Sequence, residues 1–419
     1  MSGHTNLSAR DILQRALQHK DGLLAVDFGA TPVSGIHVSC LADLRRHYGL
    51  EEKPVKVHEP CQMLGFPDDD LLDALGVHTH GVFSPWTKFG YENKNWKEWK
   101  TPWGQIVLVG EDFQVDETET DVFIYPCGDR SVQPSGHMPK TSYFFDAIIR
   151  QEPIDDATLR VEDNLEEFKP IADATLDFVR TQLDAIRVSG RAAVLCIGGT
   201  GFGDVGAVPG TQLRQPKGIR DIEEWYISTV SRRGHLHAIF ERQLEIALAN
   251  LQKVYEVLGN DIDVIYVCGA DFGTQESQFC SEKSFRELWF LYYKALNDWV
   301  HEHTTWKTFK HSCGAMFPLL PALVDCGFDI LNPVQCSAVG MEPKRLKAEF
   351  GDRFVFWGAG VDTQKTLPFG TPDEVRGQVR ERIDTFAPGG GFVFNTVHNI
   401  QACTPIENLV AMFDELGKH

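Results

Sequence analysis

The chain has 419 residues, and 42% of them are hydrophobic, so it is long and apolar enough to bury a full core. It carries 40 Lys and Arg residues against 59 Asp and Glu residues, a formal net charge of −19. A chain this acidic repels phosphate backbones and anionic lipid, which argues against nucleic-acid binding and membrane-surface binding.

The first 70 residues predict an N-terminal extension. It contains one amphipathic helix, "ARDILQRALQHK" (9–20), followed by a strand and loop, "LLAVDFGATPVSG" (23–35). The N-terminus lacks the apolar core of a secretory signal, and the chain has no apolar run of about 18 residues. The ten cysteines show no short-spacing framework, as expected for free thiols in a reducing compartment. We therefore expect a cytoplasmic protein.

The next segment combines a strand with an insertion. "LGVHTHGVF" (75–83) is a candidate for the first strand of a barrel. Residues 96–126 alternate with period two and carry turn residues, a pattern typical of antiparallel hairpins. We therefore expect a β-hairpin insertion over 84–150, between the first and second barrel strands.

From about residue 190, apolar strands alternate with amphipathic helices, which predicts a parallel sheet. Candidate strands begin near residues 264, 307, 328, 354 and 392, with intervals close to the roughly 30 residues of one unit of an eight-fold barrel. An open doubly wound sheet would have the same rhythm. Polar residues at successive strand ends favour a (β/α)8 TIM barrel, because its strand ends converge on one face. These residues are Asp271, Gln275, His311, Cys313, Asn332, Gln335, Asp362, Gln364 and His398. We expect a single barrel domain over 1–419.

A histidine and a cysteine, His311 and Cys313, end one of these strands two residues apart. Residues i and i+2 of a strand share a face, so the imidazole and the thiol point to one place. A catalytic zinc site commonly has three protein ligands and one open position. His398 is the expected third ligand, with Cys403 and Cys336 as alternatives. A thiolate with imidazoles suits zinc better than magnesium or calcium.

The same side chains can also be interpreted without a metal. His311 and His398 could donate protons, with Asp271 and Asp362 as electrostatic partners. A packed His and Cys, and aspartates that cap helices, are the structural alternatives. The glycine-rich segment "GGTGFGD" (198–204) matches neither a dinucleotide fingerprint nor a P-loop, so we expect a flexible loop that a ligand approaches closely.

Three segments resemble the uroporphyrinogen decarboxylase superfamily, and within it the branch of cobalamin-dependent methyltransferases. They are "HSCGAMFPLLPALVDCGFDILNPVQ" (311–335), "LKAEFGDRFVFWGAGVDTQKTLPFGTPDEVR" (346–376) and "GGGFVFNTVHNIQACTPIEN" (389–408). The resemblance implies a distorted (β/α)8 barrel. It also implies zinc held by a His-x-Cys pair and a later cysteine, and methyl transfer to or from a corrinoid on a partner protein.

The chain departs from that branch at one ligand. His311 and Cys313 match the pair, but His398 stands where the later cysteine would be, six residues before Thr404. A histidine there keeps tetrahedral coordination possible and makes the metal more Lewis-acidic. True decarboxylases of the superfamily carry an arginine-rich N-terminal motif, whereas "DFGATPVSGIH" (27–37) has no arginine. This argues against porphyrinogen decarboxylation.

The sequence therefore predicts a zinc-dependent methyltransferase or demethylase subunit that works with a corrinoid protein and a small-molecule methyl donor. The alternatives are a cofactor-free decarboxylase of a small carboxylated substrate and a non-catalytic barrel that binds a corrinoid or another small molecule. Asp271, Gln275 and Asp362 are the predicted catalytic residues. The predicted substrate-binding residues are Asn332, Gln335, Gln364 and Asn399. The superfamily also suggests a homodimer.

Overall fold

An eight-stranded parallel sheet forms the centre of the computed structural model, which describes residues 7–419. We number its strands β1 to β8 in chain order. They are β1 (Ala25–Val26), β2 (Thr79–Phe83), β3 (Ala192–Cys196), β4 (Val264–Cys268), β5 (Lys307–His311), β6 (Ile330–Asn332), β7 (Val355–Ala359) and β8 (Phe392–Asn395). From β2 to β8 each strand pairs with the next strand in the chain, and β8 then pairs with β1.

The sheet closes almost completely on itself. At the seam between β1 and β2, the His78 N–H donates to the Val26 carbonyl (2.9 Å), and the Val26 N–H donates to His78 Nδ1 (3.0 Å). These two bonds bridge the edge strands without a continuous ladder. The predicted (β/α)8 TIM barrel is confirmed.

Helices cover the outside of the barrel. Ser281 and Thr371 cap two of them, because their hydroxyl oxygens accept the backbone N–H three residues on. The segment 281–303, predicted as one helix, is divided at Trp289. The helices are Ala9–Leu17, Val38–His47, Asp69–Ala74, Asp173–Ser189, Ile222–Ser231, Arg233–Leu258, Glu282–Leu288, Phe290–His303, Leu320–Asp325, Pro343–Phe350, Thr366–Phe369, Pro372–Phe386 and Ile406–Leu416. Among the described residues, no helix combines the length and the apolar character needed to cross a bilayer.

The prediction of the first barrel strand was wrong. Residues 79–83 form the second strand, because Ala25–Val26 already belongs to the barrel sheet. A strand of two residues is too short to show any periodicity. The segment predicted as an extension therefore contributes to the barrel itself, and the hairpin insertion lies between the second and third strands.

Two small sheets lie between the barrel strands. The five-stranded sheet joins the first 70 residues to the insertion, in the order Ile36–His37, Leu64–Gly65, Val55–Glu59, Ile106–Val109 and Lys97–Lys100. The four-stranded sheet is antiparallel, in the order Asp146–Ala147, Gly136–Pro139, Asp121–Ile124 and Val115–Glu117. Antiparallel hairpins occur where the sequence predicts them. The pairing between the Val55 and Ile106 strands is parallel and joins distant segments.

Alternate side chains of the strands fill the barrel interior. Val194, Val264, Phe309, Ile330 and Trp357 belong to one buried apolar cluster there. A filled interior leaves no pore, so polar groups are found where the strands end rather than between them. This arrangement places the predicted functional residues at the C-terminal mouth of the barrel.

Candidate metal centre

His311 is the last residue of β5 and is only 2% exposed. Its Nδ1 donates to Asn332 Oδ1 (2.6 Å), and Asn332 Nδ2 donates in turn to the Trp357 carbonyl (2.7 Å). Since the amide must present its oxygen to the imidazole, the proton of a neutral ring lies on Nδ1. Nε2 therefore has its lone pair available, and it lies 3.4 Å from Cys313 Sγ.

The third member of the cluster, His398, follows the end of β8. Its ring and that of His311 have centroids 5.2 Å apart with an interplanar angle of 74°. One ligand atom from each of His311, Cys313 and His398 lies within 4.8 Å of the others. Two ligands of one tetrahedral Zn²⁺ lie about 3.5 Å apart, given metal–ligand distances near 2.0–2.3 Å. The donor set and its spacing therefore fit one zinc ion after a small contraction.

The protonation states also suit a metal site. Burial lowers the pKa of His311 to about 4 and lowers that of His398, so both imidazoles are neutral near pH 7. Burial, together with the charge of Asp271, raises the pKa of Cys313 well above its ordinary value. The thiol thus keeps its proton until a cation compensates the thiolate.

Asp271 lies directly beside this cluster. Its Oδ1 accepts the backbone N–H of Cys313 (2.7 Å) and lies 3.6 Å from His311 Nε2. Its side chain is 36% exposed, so the carboxylate faces the open side of the site. It both holds the loop that carries the thiol and can accept a proton from a ligand there.

Three predicted glutamines meet on the other side of Cys313. Gln335 Oε1 accepts the N–H of Gly314 (2.9 Å), and Gln335 Nε2 donates to Gln275 Oε1 (2.8 Å) and Gln364 Oε1 (3.4 Å). Gln275 and Gln364 are exposed, whereas Gln335 is buried. The structure thus brings these amides together at the mouth.

Asp362 and Asn399 have local bonds of their own. Asp362 Oδ1 accepts the backbone N–H groups of Gln364 (2.7 Å) and Lys365 (3.1 Å), so the carboxylate closes a turn. Asn399 is fully buried and donates to Gln62 Oε1 (2.7 Å). These bonds fit loop support, and the predicted catalytic and substrate-binding roles of the two residues stay predictions.

The two alternative third ligands, Cys403 and Cys336, do not belong to the cluster. Cys403 is exposed, and its thiol interacts with the Tyr143 hydroxyl and raises the pKa of that tyrosine. Cys336 Sγ donates to the Val334 carbonyl (3.3 Å). Of the three residues that the sequence left open, only His398 lies within 4.8 Å of the His311 and Cys313 ligand atoms in the described part of the chain.

Sequence reasoning missed two buried charged residues near the strand ends. Lys310 is fully buried and donates to the carbonyls of Ala270 (2.6 Å) and His311, so it joins the ends of β4 and β5. Asp27 follows β1, and its oxygens accept from Thr79 Oγ1 (2.6 Å) and Trp357 Nε1 (2.8 Å). Burial raises the pKa of Asp27. An aspartate directly after a short strand was the available signal for Asp27.

Comparison with known proteins identifies relatives of this architecture. Residues 150–419 match the family described as Uroporphyrinogen decarboxylase (URO-D). A methyltransferase from Methanosarcina mazei superposes with a TM-score of 0.54 at 16% identity, over 99% of each chain. A B12-independent methionine synthase from Shewanella sp. W3-18-1, in complex with selenomethionine, gives a TM-score of 0.33 at 12% identity, over 60% of this chain and 67% of that one. A search of curated proteins finds no match.

Proposed function

The chain belongs to the uroporphyrinogen decarboxylase (URO-D) family, and on that premise we propose that it is a zinc-dependent methyltransferase or demethylase subunit. It moves a methyl group between a small-molecule donor and a corrinoid carried by a partner protein, or a thiol. The observation that carries this proposal is the meeting of His311, Cys313 and His398 within 4.8 Å. The whole chain acts as one barrel domain that builds this site at its mouth.

The donor set supports zinc and indicates the chemistry. His311, Cys313 and His398 would hold the metal, which supplies a Lewis acid that polarises a donor heteroatom or lowers the pKa of a thiol. With two neutral imidazoles and one thiolate, the ligands neutralise only one of the two positive charges. A site of this kind favours polarising a methoxy or methylamine-like donor over stabilising a second thiolate.

The surrounding residues position and balance this site. Asn332 fixes the ring of His311 with Nε2 directed toward the thiol. Asp271 holds the Cys313 backbone and faces the open side, where it can take a proton from a bound acceptor or hold a protonated amine. The Gln275, Gln335 and Gln364 amides offer further polar contacts to a substrate.

The first experiment is elemental analysis of the purified protein, followed by methyl transfer to free cob(I)alamin from a panel of methoxy and methylamine compounds. Wild type should bind one zinc per chain. His398→Ala should lose it, whereas the matched Cys403→Ser variant should keep it. Stoichiometric zinc in both His311→Ala and Cys313→Ser would show that the metal lies elsewhere.

A decarboxylase remains the second candidate, and one contact favours it. Asp271 lies 3.6 Å from His311 Nε2, a spacing at which the pair could share one proton taken from solvent, pass it to the carbanion left by loss of CO2, and regain it from solvent. This alternative needs no metal. Zinc-free protein that releases CO2 from a small acid, with Asp271→Asn inactive, would replace methyl transfer as the proposed function.

A further inference from the structure

Lys88 is a cation at the barrel mouth that the proposed chemistry does not use. It follows the end of β2 by five residues, so its loop starts at the C-terminal face of the barrel. Its side chain is exposed, and the charges of Cys61, Glu59 and Asp204 act on the ammonium group. The ammonium group is thus open to solvent, with acidic side chains near it.

The neighbouring carboxylates are engaged with their own loops. The two oxygens of Glu59 accept the backbone N–H groups of Cys61 (3.1 Å) and Gln62 (2.8 Å). Asp204 Oδ1 accepts the N–H of Gly206 (2.9 Å). Over residues 7–419, the Lys88 ammonium forms no hydrogen bond and has no carboxylate oxygen within 4.0 Å. Its donors are therefore available to an incoming ligand.

Glycine keeps the space beside this ammonium open. A methyl group added at Gly206 would lie 3.4 Å from Lys88 Nζ and 3.3 Å from Asp204 Oδ1, so both charges border one space. Earlier in the same loop, Gly198 and Gly199 have φ values of 75° and 81° and no atom within 4 Å of an added methyl group. These left-handed positions favour glycine and leave the loop surface bare.

The backbone of this loop is nevertheless held in place. Thr200 Oγ1 donates to the Val267 carbonyl (2.5 Å), and Gln243 Nε2 donates to the Gly201 carbonyl (2.7 Å). Segment 198–204, expected to be flexible, is therefore tied to β4 and to the helix Arg233–Leu258. The space beside Lys88 is therefore bordered by a loop whose backbone is hydrogen-bonded to the barrel.

The same loop connects Lys88 to the metal centre. A methyl group added at Gly269 would lie 3.5 Å from Asp204 Oδ2, and Gly269 stands two residues before Asp271. Charged groups thus follow one another along the rim, from Lys88 past β2 and Asp204 past β3 to Asp271 past β4. Lys88 and the metal centre therefore belong to the same face of the barrel.

We propose that Lys88 forms a carboxylate-binding subsite, which selects small substrates that carry an acid group together with the reacting group. The inference rests on the proposed function for the position of the reacting group, but binding of the acid depends on Lys88 alone. A single ammonium suits one carboxylate, in contrast to the several arginines that a polycarboxylate would require. Crowding by protein lowers the pKa of Lys88 while Cys61, Glu59 and Asp204 raise it by more, so the group stays charged.

The test compares matched probes that differ only in charge. Methoxyacetate and 2-methoxyethanol represent the donor, whereas mercaptoacetate and 2-mercaptoethanol represent the acceptor. Binding to zinc-loaded wild type, Lys88→Met, Lys88→Arg and the surface control Lys100→Met is measured by calorimetry. The carboxylate of at least one pair should bind about tenfold more tightly than its neutral partner, which corresponds to one charge-assisted hydrogen bond.

Lys88→Met should abolish this preference without weakening the neutral probes, and Lys88→Arg and Lys100→Met should keep it. In wild type, methoxyacetate or mercaptoacetate should also protect Lys88 from trace acetylation, read by mass spectrometry, which does not depend on a folded variant. Equal binding within both pairs together with no protection, or a preference that survives Lys88→Met, would overturn the subsite. Zinc content is measured on the same samples, so loss of the metal centre is seen separately.

Discussion

The ionisable groups at the two ends of the barrel differ in whether they form ion pairs. At the N-terminal end, before β4, Asp263 accepts from Arg10 Nε (2.9 Å), from Gln14 Nε2 (2.5 Å) and from the Ala193 N–H (2.9 Å). Before β6, Asp329 accepts from His301 (2.8 Å) and Lys307 (2.8 Å). Both of these carboxylates have cationic or amide partners, as expected of groups that stabilise the fold.

At the C-terminal end, by contrast, the groups of the candidate site and Lys88 are not held by ion pairs within residues 7–419. The imidazoles of His311 and His398 are buried and neutral, and the Cys313 thiol is held away from ionisation by burial. Lys88 has no ion-pair partner among the described residues. Groups whose pKa values are moved by burial, in a mouth open to solvent, are typical of sites that bind or react. The contrast predicts that substitutions at the two ends separate function from stability.

The largest effect should come from the thiol of the metal centre. Cys313→Ser removes the thiolate ligand and should lower zinc affinity at least about a hundredfold, since a serine hydroxyl is a poor zinc ligand. The zinc-free variant should unfold within about 1 kcal/mol of zinc-free wild type, because the substitution is nearly isosteric. Competition with a chromophoric chelator measures the affinity, and urea unfolding measures the stability.

Cys336→Ser is the matched control at the same end of the barrel. Its thiol is half-buried and bonds only to the Val334 carbonyl, so zinc affinity should not change. Equal zinc loss in the two variants would show that the mouth responds as a whole, and the distinction between ligand and packing residues would fail.

A substitution at the N-terminal end of the barrel should lower stability without changing zinc affinity. Asp263→Ala leaves Gln14 and the Ala193 N–H without their acceptor and should lower the free energy of unfolding by about 3 kcal/mol. Zinc binding by the folded fraction should stay as in wild type. Asp43→Ala, which breaks an exposed ion pair with Arg46, should leave the free energy of unfolding nearly unchanged.

The sequence predicted the residues at the C-terminal end of the barrel but not the ion pairs at the N-terminal end. The barrel and the cluster of His311, Cys313 and His398 were predicted because strands near 264, 307 and 392 alternate with amphipathic helices. Strand polarity then brings residues at their ends to one mouth, whatever their separation in sequence. This argument needs only the order of the elements.

Other features depended on tertiary contacts that leave no periodic signal. The sequence predicts a strand within residues 23–35, but β1 has only two residues, and nothing in the pattern assigned it to the barrel sheet. Nothing in the sequence around Lys310 distinguishes it from an exposed lysine. The structure shows that its ammonium group is buried because it donates to the carbonyls of Ala270 and His311. The surroundings of Lys88 were not predicted, because the neighbouring residues Gly206 and Asp204 lie more than 100 residues away in the sequence.

A smaller effect should come from Asn332, which links packing to the metal centre. Asn332→Leu removes the acceptor for His311 Nδ1 and should lower zinc affinity about tenfold, because the ring loses its fixed tautomer and orientation. Asn408→Leu is the control. Asn408 is equally buried, donates to the Leu367 and Gly370 carbonyls (2.8 Å each), and is not part of the cluster of His311, Cys313 and His398.

Both variants should lose a similar free energy of unfolding in urea, since each leaves two buried polar groups without a partner. These groups are His311 Nδ1 and the Trp357 carbonyl in Asn332→Leu, and the Leu367 and Gly370 carbonyls in Asn408→Leu. Only Asn332→Leu should weaken zinc binding measured by chelator competition. A zinc affinity that falls equally in Asn408→Leu would mean that stability, rather than the bond to His311, sets the affinity.

The smallest effect should be a difference in pH dependence. Burial raises the pKa of Asp329, but the hydrogen bond from His301 and the charge of Lys307 lower it by more, so its pKa lies below the ordinary value. Its contribution to stability is therefore full above the unfolded pKa, about 3.9, and is lost as pH falls through the lower folded pKa. Asp329→Asn should be less stable than wild type at pH 7 by about 1 kcal/mol, and this gap should close in acid.

Asp27 should show the reverse sign, because over residues 7–419 its buried carboxyl has no cationic group within 4.0 Å. Burial raises its pKa above the unfolded value despite bonds from Thr79 and Trp357, so its contribution is present below about pH 3.9 and is lost as pH rises through the folded pKa. The stability of wild type relative to Asp27→Asn should thus fall with rising pH, whereas relative to Asp329→Asn it should rise. Urea unfolding from pH 3 to pH 8 measures both. A lowered pKa and a raised pKa make stability depend on pH with opposite signs. Parallel curves for the two variants would therefore mean that the folded protein shifts both carboxyl pKa values in the same direction.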